Sequence, residues 1–156
     1  MRSSARSWRS WLAASALVLV GASLGACSTG PIAGETGPTV SGAWVRPPQG
    51  MDRPAAAYFE IVGGAEADAL LGVTSPAAAM VELHETTTDS SGMTGMHPIG
   101  RLEIPAGETV ILEPGGYHLM LMAVAEGAIE AGKAVELRLT FEKAGAVVVQ
   151  AEVRAG

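Results

Sequence analysis

Val135-Glu136-Leu137-Arg138-Leu139-Thr140-Phe141 sets an apolar side chain at every odd position and a polar one at every even position. Alternation with period two marks a β-strand that buries one face and wets the other. A second apolar run, 146–153, follows across Lys143-Ala144-Gly145, so 134–142 and 146–153 read as a closing β-hairpin. Towards the N-terminus, short apolar runs bounded by Gly, Pro, Asp and Ser recur at 40–46, 55–62, 69–74, 80–87, 92–99, 109–113 and 118–124. Residues 65–71 and 125–131 have helix-friendly composition, but each is short and bounded by glycine, and no segment carries a long helical stripe. Many short strands separated by turn signals predict an all-β domain, a Greek-key β-sandwich or barrel. No internal repeat, low-complexity segment or second domain interrupts the pattern.

Aromatic residues make up only 4% of the 156-residue chain, so its core must be built from Val, Leu, Ile and Ala. A formal net charge of -6 argues against a phosphate-backbone partner such as a nucleic acid. Arg2, Arg6 and Arg9 precede an apolar run from Trp11 to Leu24 that ends in small residues, the pattern of a secretory signal peptide. The run falls short of the roughly 20 apolar residues of a membrane-spanning helix. Its end, Leu24-Gly25-Ala26-Cys27, resembles the bacterial lipobox, in which the cysteine carries a lipid and becomes the mature N-terminus. The expected organisation is a signal peptide at 1–26, a flexible tether at 27–38 starting from lipidated Cys27, and one β-domain at 39–156. The protein would then be extracytoplasmic and held to the cell membrane by its lipid. Cys27 is the single cysteine, so no internal disulfide can form. Loss of the leader removes three arginines and leaves seven basic against sixteen acidic side chains, a distinctly acidic mature domain.

The chemistry concentrates between Met80 and Met122. All three histidines, His84, His97 and His118, lie there, with five of the seven methionines, Met80, Met93, Met96, Met120 and Met122. Imidazole and thioether together suit Cu(I), whereas a hard cation would call for carboxylates and carbonyls. His118 and Met120 are two apart on an expected strand, so their side chains leave the same face. Met122 shares that parity and could equally serve as packing, as methionine often does. His84 falls on the polar face of Val81-Glu82-Leu83-His84-Glu85, where an ordinary solvated histidine is the plain expectation. Met96 sits in the glycine-punctuated Gly92-Met93-Thr94-Gly95-Met96-His97, which can hide little apolar area.

Taken together, these residues resemble the PCuAC family of bacterial periplasmic copper chaperones, whose signature is His-(Met)-x10-Met-x21-His-x-Met. The chain gives His84-Glu85-x10-Met96-x21-His118-x-Met120, agreeing at every ligand position and spacing. Ala43-Trp44-Val45-Arg46-Pro47, Ala56-Ala57-Tyr58-Phe59 and Pro114-Gly115-Gly116-Tyr117 also look like segments of that family. The resemblance implies a cupredoxin-like β-sandwich that holds Cu(I) through His84, Met96, His118 and Met120 at one edge. It also implies delivery of copper to the CuA centre of a cytochrome c oxidase subunit, alongside a Sco-type thiol protein. Two departures stand out. Glu85 replaces the optional methionine after the first histidine, and the chain lacks the Met/His-rich tail that some members use for Cu(II). His97, beside Met96, is a candidate additional ligand.

No nucleophile–base pair or catalytic carboxylate pair is visible, so a binding protein rather than an enzyme is expected. An electron-transfer cupredoxin would need a strand-borne Cys thiolate, and no cysteine follows Cys27. A metal-free, lipid-anchored interaction domain would make the His/Met spacing accidental. Trp44 reads more naturally as a packing aromatic than as a copper neighbour, and one of Tyr58 and Phe59 should be core.

Overall fold

The computed structural model describes residues 37–50 and 53–155. The expected signal peptide, Cys27 and most of the 27–38 tether lie outside these residues. Ten strands follow in chain order: β1 (Thr39–Arg46), β2 (Ala55–Val62), β3 (Asp68–Thr74), β4 (Ala78–Thr88), β5 (Thr94–Pro98), β6 (Leu102–Ile104), β7 (Thr109–Leu112), β8 (Tyr117–Val124), β9 (Ala134–Phe141) and β10 (Gly145–Val153). No helix occurs among the described residues, and the helix-friendly stretches near 65–71 and 125–131 become turns and the start of β3. The all-β, cupredoxin-like expectation holds.

The strands form one sheet in the order β5-β4-β8-β7-β2-β1-β10-β9-β3-β6, with β8 also pairing β2. Sequence-distant neighbours such as β4–β8, β1–β10 and β3–β9 are joined by crossovers rather than tight turns, while β9–β10 is the expected hairpin. The sheet wraps on itself around Val45, Ala57, Phe59, Ile61, Leu70, Leu83, Leu119, Leu121, Leu137, Leu139 and Phe141. Val135, Leu137, Leu139 and Phe141 are the buried positions of β9, so the alternation quoted first maps directly onto burial.

β2 departs from simple alternation: Ala55, Ala56, Ala57, Tyr58 and Phe59 are all buried. Its inner face meets the core. Its outer face, carrying Ala56 and Tyr58, is covered as well, and so both Tyr58 and Phe59 are buried instead of one. In β1 the register against β2 shifts between Ser41 and Trp44, beside Gly42 at φ 64°. A left-handed residue at a bulge is a natural place for glycine. Beyond the bulge Trp44 lies opposite Tyr58 on the outer face, ring centroids 4.5 Å apart.

Asp68, at the start of β3, ties two distant parts together. Its Oδ1 accepts from the Ala69 and Lys143 amides at 2.7 and 2.9 Å, and Oδ2 accepts from Ala144 at 2.9 Å. Burial pushes this carboxyl up, but those three amides and the Lys143 charge outweigh it and hold Asp68 below the ordinary aspartate value.

Candidate metal centre

Register, more than sequence proximity, assembles the soft donors. In the antiparallel β4–β8 pair His84 lies opposite His118 and Glu82 opposite Met120. On the other flank of β4, Thr86 lies opposite Met96 and His84 opposite Pro98. Residues directly opposite share a face, and so do residues two apart. His84, His118, Met120 and Met96 therefore stand on one face of the β5-β4-β8 ribbon, with Leu83 and Leu119 on the core side. Direct cross-strand neighbours have Cβ atoms about 4.5–5.5 Å apart and diagonal ones lie about 7–8 Å apart, within reach of long side chains. Every other donor is thus a direct or diagonal neighbour of His84.

The two imidazoles lie with centroids 5.8 Å apart and planes tilted 40°. A ring nitrogen about 2.0–2.1 Å from a metal puts the ring centroid about 3.2 Å from it, so two rings sharing one ion span about 5–6.5 Å. The hydrogen bonds leave a lone pair open on each ring. His118 Nδ1 donates to the Gly116 carbonyl at 3.1 Å, which assigns the acceptor lone pair to Nε2. His84 Nε2 donates to Glu82 Oε2 at 3.0 Å, so the lone pair falls on Nδ1. That Nδ1 is buried and has no hydrogen-bond partner among the described residues. An orphaned buried acceptor costs free energy unless something occupies it; here a soft cation would.

Local sequence explains the placement. Pro114-Gly115-Gly116 turns the chain into β8, with Gly115 at φ 89°. The Gly116 carbonyl also accepts from the Thr86 amide at 3.1 Å, so one oxygen locks β4 to the turn and orients His118. His118 is buried at 5% exposure, while Met96 is 59% exposed, so the set runs from a sealed end to an open one.

Met96, His118 and Met120 line a cleft of about 440 Å³ together with Arg46, Arg53, Tyr58, Thr86 and residues of the β1–β2 connection. Arg46 sits 5.9 Å from the Tyr58 ring centre, and Arg154 lies 5.7 Å from that of Trp44. Burial raises the Tyr58 hydroxyl pKa and the Arg46 charge lowers it, leaving it above the usual tyrosine value. Trp44 therefore packs one ring away from the cleft, as a stacking residue.

Two of the sequence expectations need adjustment. His97 lies opposite Glu85, on the other face of β5, because adjacent strand residues point to opposite sides. It does not join the cluster. His84 is not solvated, its side chain being only 12% exposed, because Glu82 and His118 flank it. Glu82, which fixes the His84 ring, is a residue the sequence did not single out; its position two before a histidine on a strand was the available signal. Among the described residues no three of His, Cys, Asp and Glu converge on a metal position. An ion bound here by more than the two imidazoles would draw on the thioethers.

The domain is all-β, with paired imidazoles and two thioethers on one outer sheet face. The chain matches, over residues 38–153, the family described as "Putative lipoprotein LpqE-like", and it belongs to that family. It is 37% identical over 107 residues to "Putative lipoprotein Lxx21020" of Leifsonia xyli subsp. xyli (strain CTCB07), covering 67% of this chain and 62% of the relative. The chain thus spans under two thirds of that relative's length. Among solved structures, the copper-bound PCuAC domain from PmoF2 superposes with TM-score 0.64 at 27% identity, covering 79% of this chain and 95% of that one. The Cu(I) form of DR1885 from Deinococcus radiodurans gives TM-score 0.57 at 29% identity, covering 84% of each chain. The fold is of the PCuAC type.

Proposed function

We propose that this domain is an extracytoplasmic copper chaperone, not an enzyme, which takes Cu(I) as cargo through His84, Met96, His118 and Met120. The observation that carries this reading is the buried Nδ1 of His84, without a partner among the described residues, beside His118 on the face shared with two thioethers. The likeness to copper-bound PCuAC domains supports the same metal. Thioethers are neutral and favour the reduced ion, and a site without thiolate forms no adventitious disulfide outside the cytoplasm. The graded exposure from His118 to Met96 gives a partner access to the copper from one side. The lipoprotein family supports anchoring to the membrane through Cys27. The acceptor we propose is the CuA site of a cytochrome c oxidase subunit, with a Sco-type protein as a co-partner.

Anaerobic titration of the full chain with Cu(I) against a competing chelator tests the site. One tightly bound equivalent, lost on His84→Ala or His118→Ala, is expected. A stoichiometry near zero, or tight binding that survives both substitutions, would overturn the assignment.

A further inference from the structure

The register that builds the candidate centre does not stop there. One step further along the same two strands, Met80 lies opposite Met122. Met80 and Glu82 share parity with His84, and Met122 shares parity with Met120 and His118, so these two thioethers stand on the same outer face. Met80 is 52% exposed, which hydrophobic packing does not explain, while Met122 is half-buried. Met122 and Met120 both line a second cleft of about 1290 Å³, which also includes Arg53, Pro54 and Glu126. Met120, Arg53 and Pro54 line the first cleft too, so the two clefts meet at Met120.

We propose that Met80 and Met122, with Met120 as the shared donor, form a second, weaker Cu(I) site built only of thioethers, adjoining the His84–His118 centre. The proposal rests on the copper reading above for the identity of the metal. Neutral sulfur donors select a soft monovalent ion over Zn2+ or Mg2+. Lacking imidazole, this site binds less tightly than the first. A weak site joined to a tight one through a common ligand suits a waystation: the ion passes Met120 by exchange of neutral ligands, with no change of oxidation state and no proton to move. Met93, 70% exposed in the β4–β5 turn, belongs to neither cluster and is the internal control.

The test is titration of the full-length chain with Ag(I), a redox-inert soft monovalent probe, followed by methionine methyl NMR and repeated with Cu(I) under anaerobic reducing conditions. The first equivalent should move the Met96 and Met120 methyl signals. The second should move those of Met80 and Met122 and leave Met93 in place. Met80→Leu and Met122→Leu, which keep the volume and lose the sulfur, should each abolish the second response while keeping the first. The second site is overturned if the second equivalent leaves Met80 and Met122 unmoved, if Met93 responds equally, or if the response persists in both variants. A first equivalent that fails to move Met96 and Met120 instead sinks the primary copper assignment, so the two failures are told apart.

Discussion

Glu82→Gln is a sharp probe of the centre, because it changes one charge and almost no volume at a residue that does not itself supply a metal donor in this reading. Glu82 Oε2 accepts from His84 Nε2 at 3.0 Å, and its side chain is 40% exposed against 12% for the histidine. A hydrogen bond to a charged group contributes about 1.5–3 kcal/mol. Solvent at the exposed carboxylate screens it, which puts the value near the lower end, about 1.5 kcal/mol and hence about tenfold in affinity. Carboxylate partners of metal-binding histidines generally contribute about 10–100-fold, consistent with that figure. Glutamine can still accept through Oε1 but offers no negative charge to support the electron-donating ring. The Cu(I) affinity should therefore fall about tenfold, with apo stability changed by no more than about 0.5 kcal/mol. Competition against a Cu(I) chelator measures the first quantity and denaturant unfolding the second. Unchanged affinity in a folded variant would refute the reasoning that the Glu82 charge supports the His84 ring as a metal donor.

Met120→Leu should lower Cu(I) affinity sharply while Met122→Leu lowers tight-site affinity little. Both apo proteins should melt alike, since such swaps cost under about 1.5 kcal/mol; equal affinity losses in a chelator competition would show that the spacing misleads. His97→Ala should leave affinity unchanged in the same assay, because the imidazole stands on the opposite face of β5. Asp68→Ala should cost about 2–4 kcal/mol in urea unfolding, since it orphans the Lys143 and Ala144 amides. The Asp68 folded-state pKa is depressed, so its contribution is present above the unfolded carboxylate value of about 3.9 and is lost as pH falls through the lower folded value; an acid titration of stability should steepen there in the wild type and flatten in the variant. Cys27→Ser should move the protein from the membrane to the soluble fraction with copper binding intact, as read by fractionation and metal analysis.

Elements that carry their own periodicity are legible in the sequence. β9 alternates cleanly and was expected with its partner β10, and the inward parity of Leu83 against the outward parity of Glu82 and His84 was correct. β6 was not foreseen, because Leu102-Glu103-Ile104 is too short to show a period between Gly100 and Pro105. Burial on the outer face of β2 is equally hidden: nothing local says that Tyr58 stacks against Trp44 of the neighbouring strand. The resemblance to the PCuAC signature implies the four candidate donors, but not their mutual arrangement. That arrangement depends on which strands pair and in what register, and β4 meets β8 across the 28 residues between Thr88 and Tyr117. The carboxylate of Glu82 and the carbonyl of Gly116, which decide the ring tautomers, are visible only once those rings are placed.

Of the strands that bring donors together, β5 is the outermost and, among the described residues, pairs with β4 alone. It spans five residues, four of them exposed, and it ends at Pro98, which has no amide to offer another chain. Such a margin is the first part of a sheet to fray. An ion bridging Met96 to the histidines would pin that margin like a clasp, and lifting β5 would strip one sulfur from the ion without disturbing the barrel. Amide exchange in β5 would then slow on loading and quicken on unloading, while β9 and β10 keep one rate throughout. The handover of the cargo would be set by the peeling of a short border strand, leaving the rest of the fold a spectator.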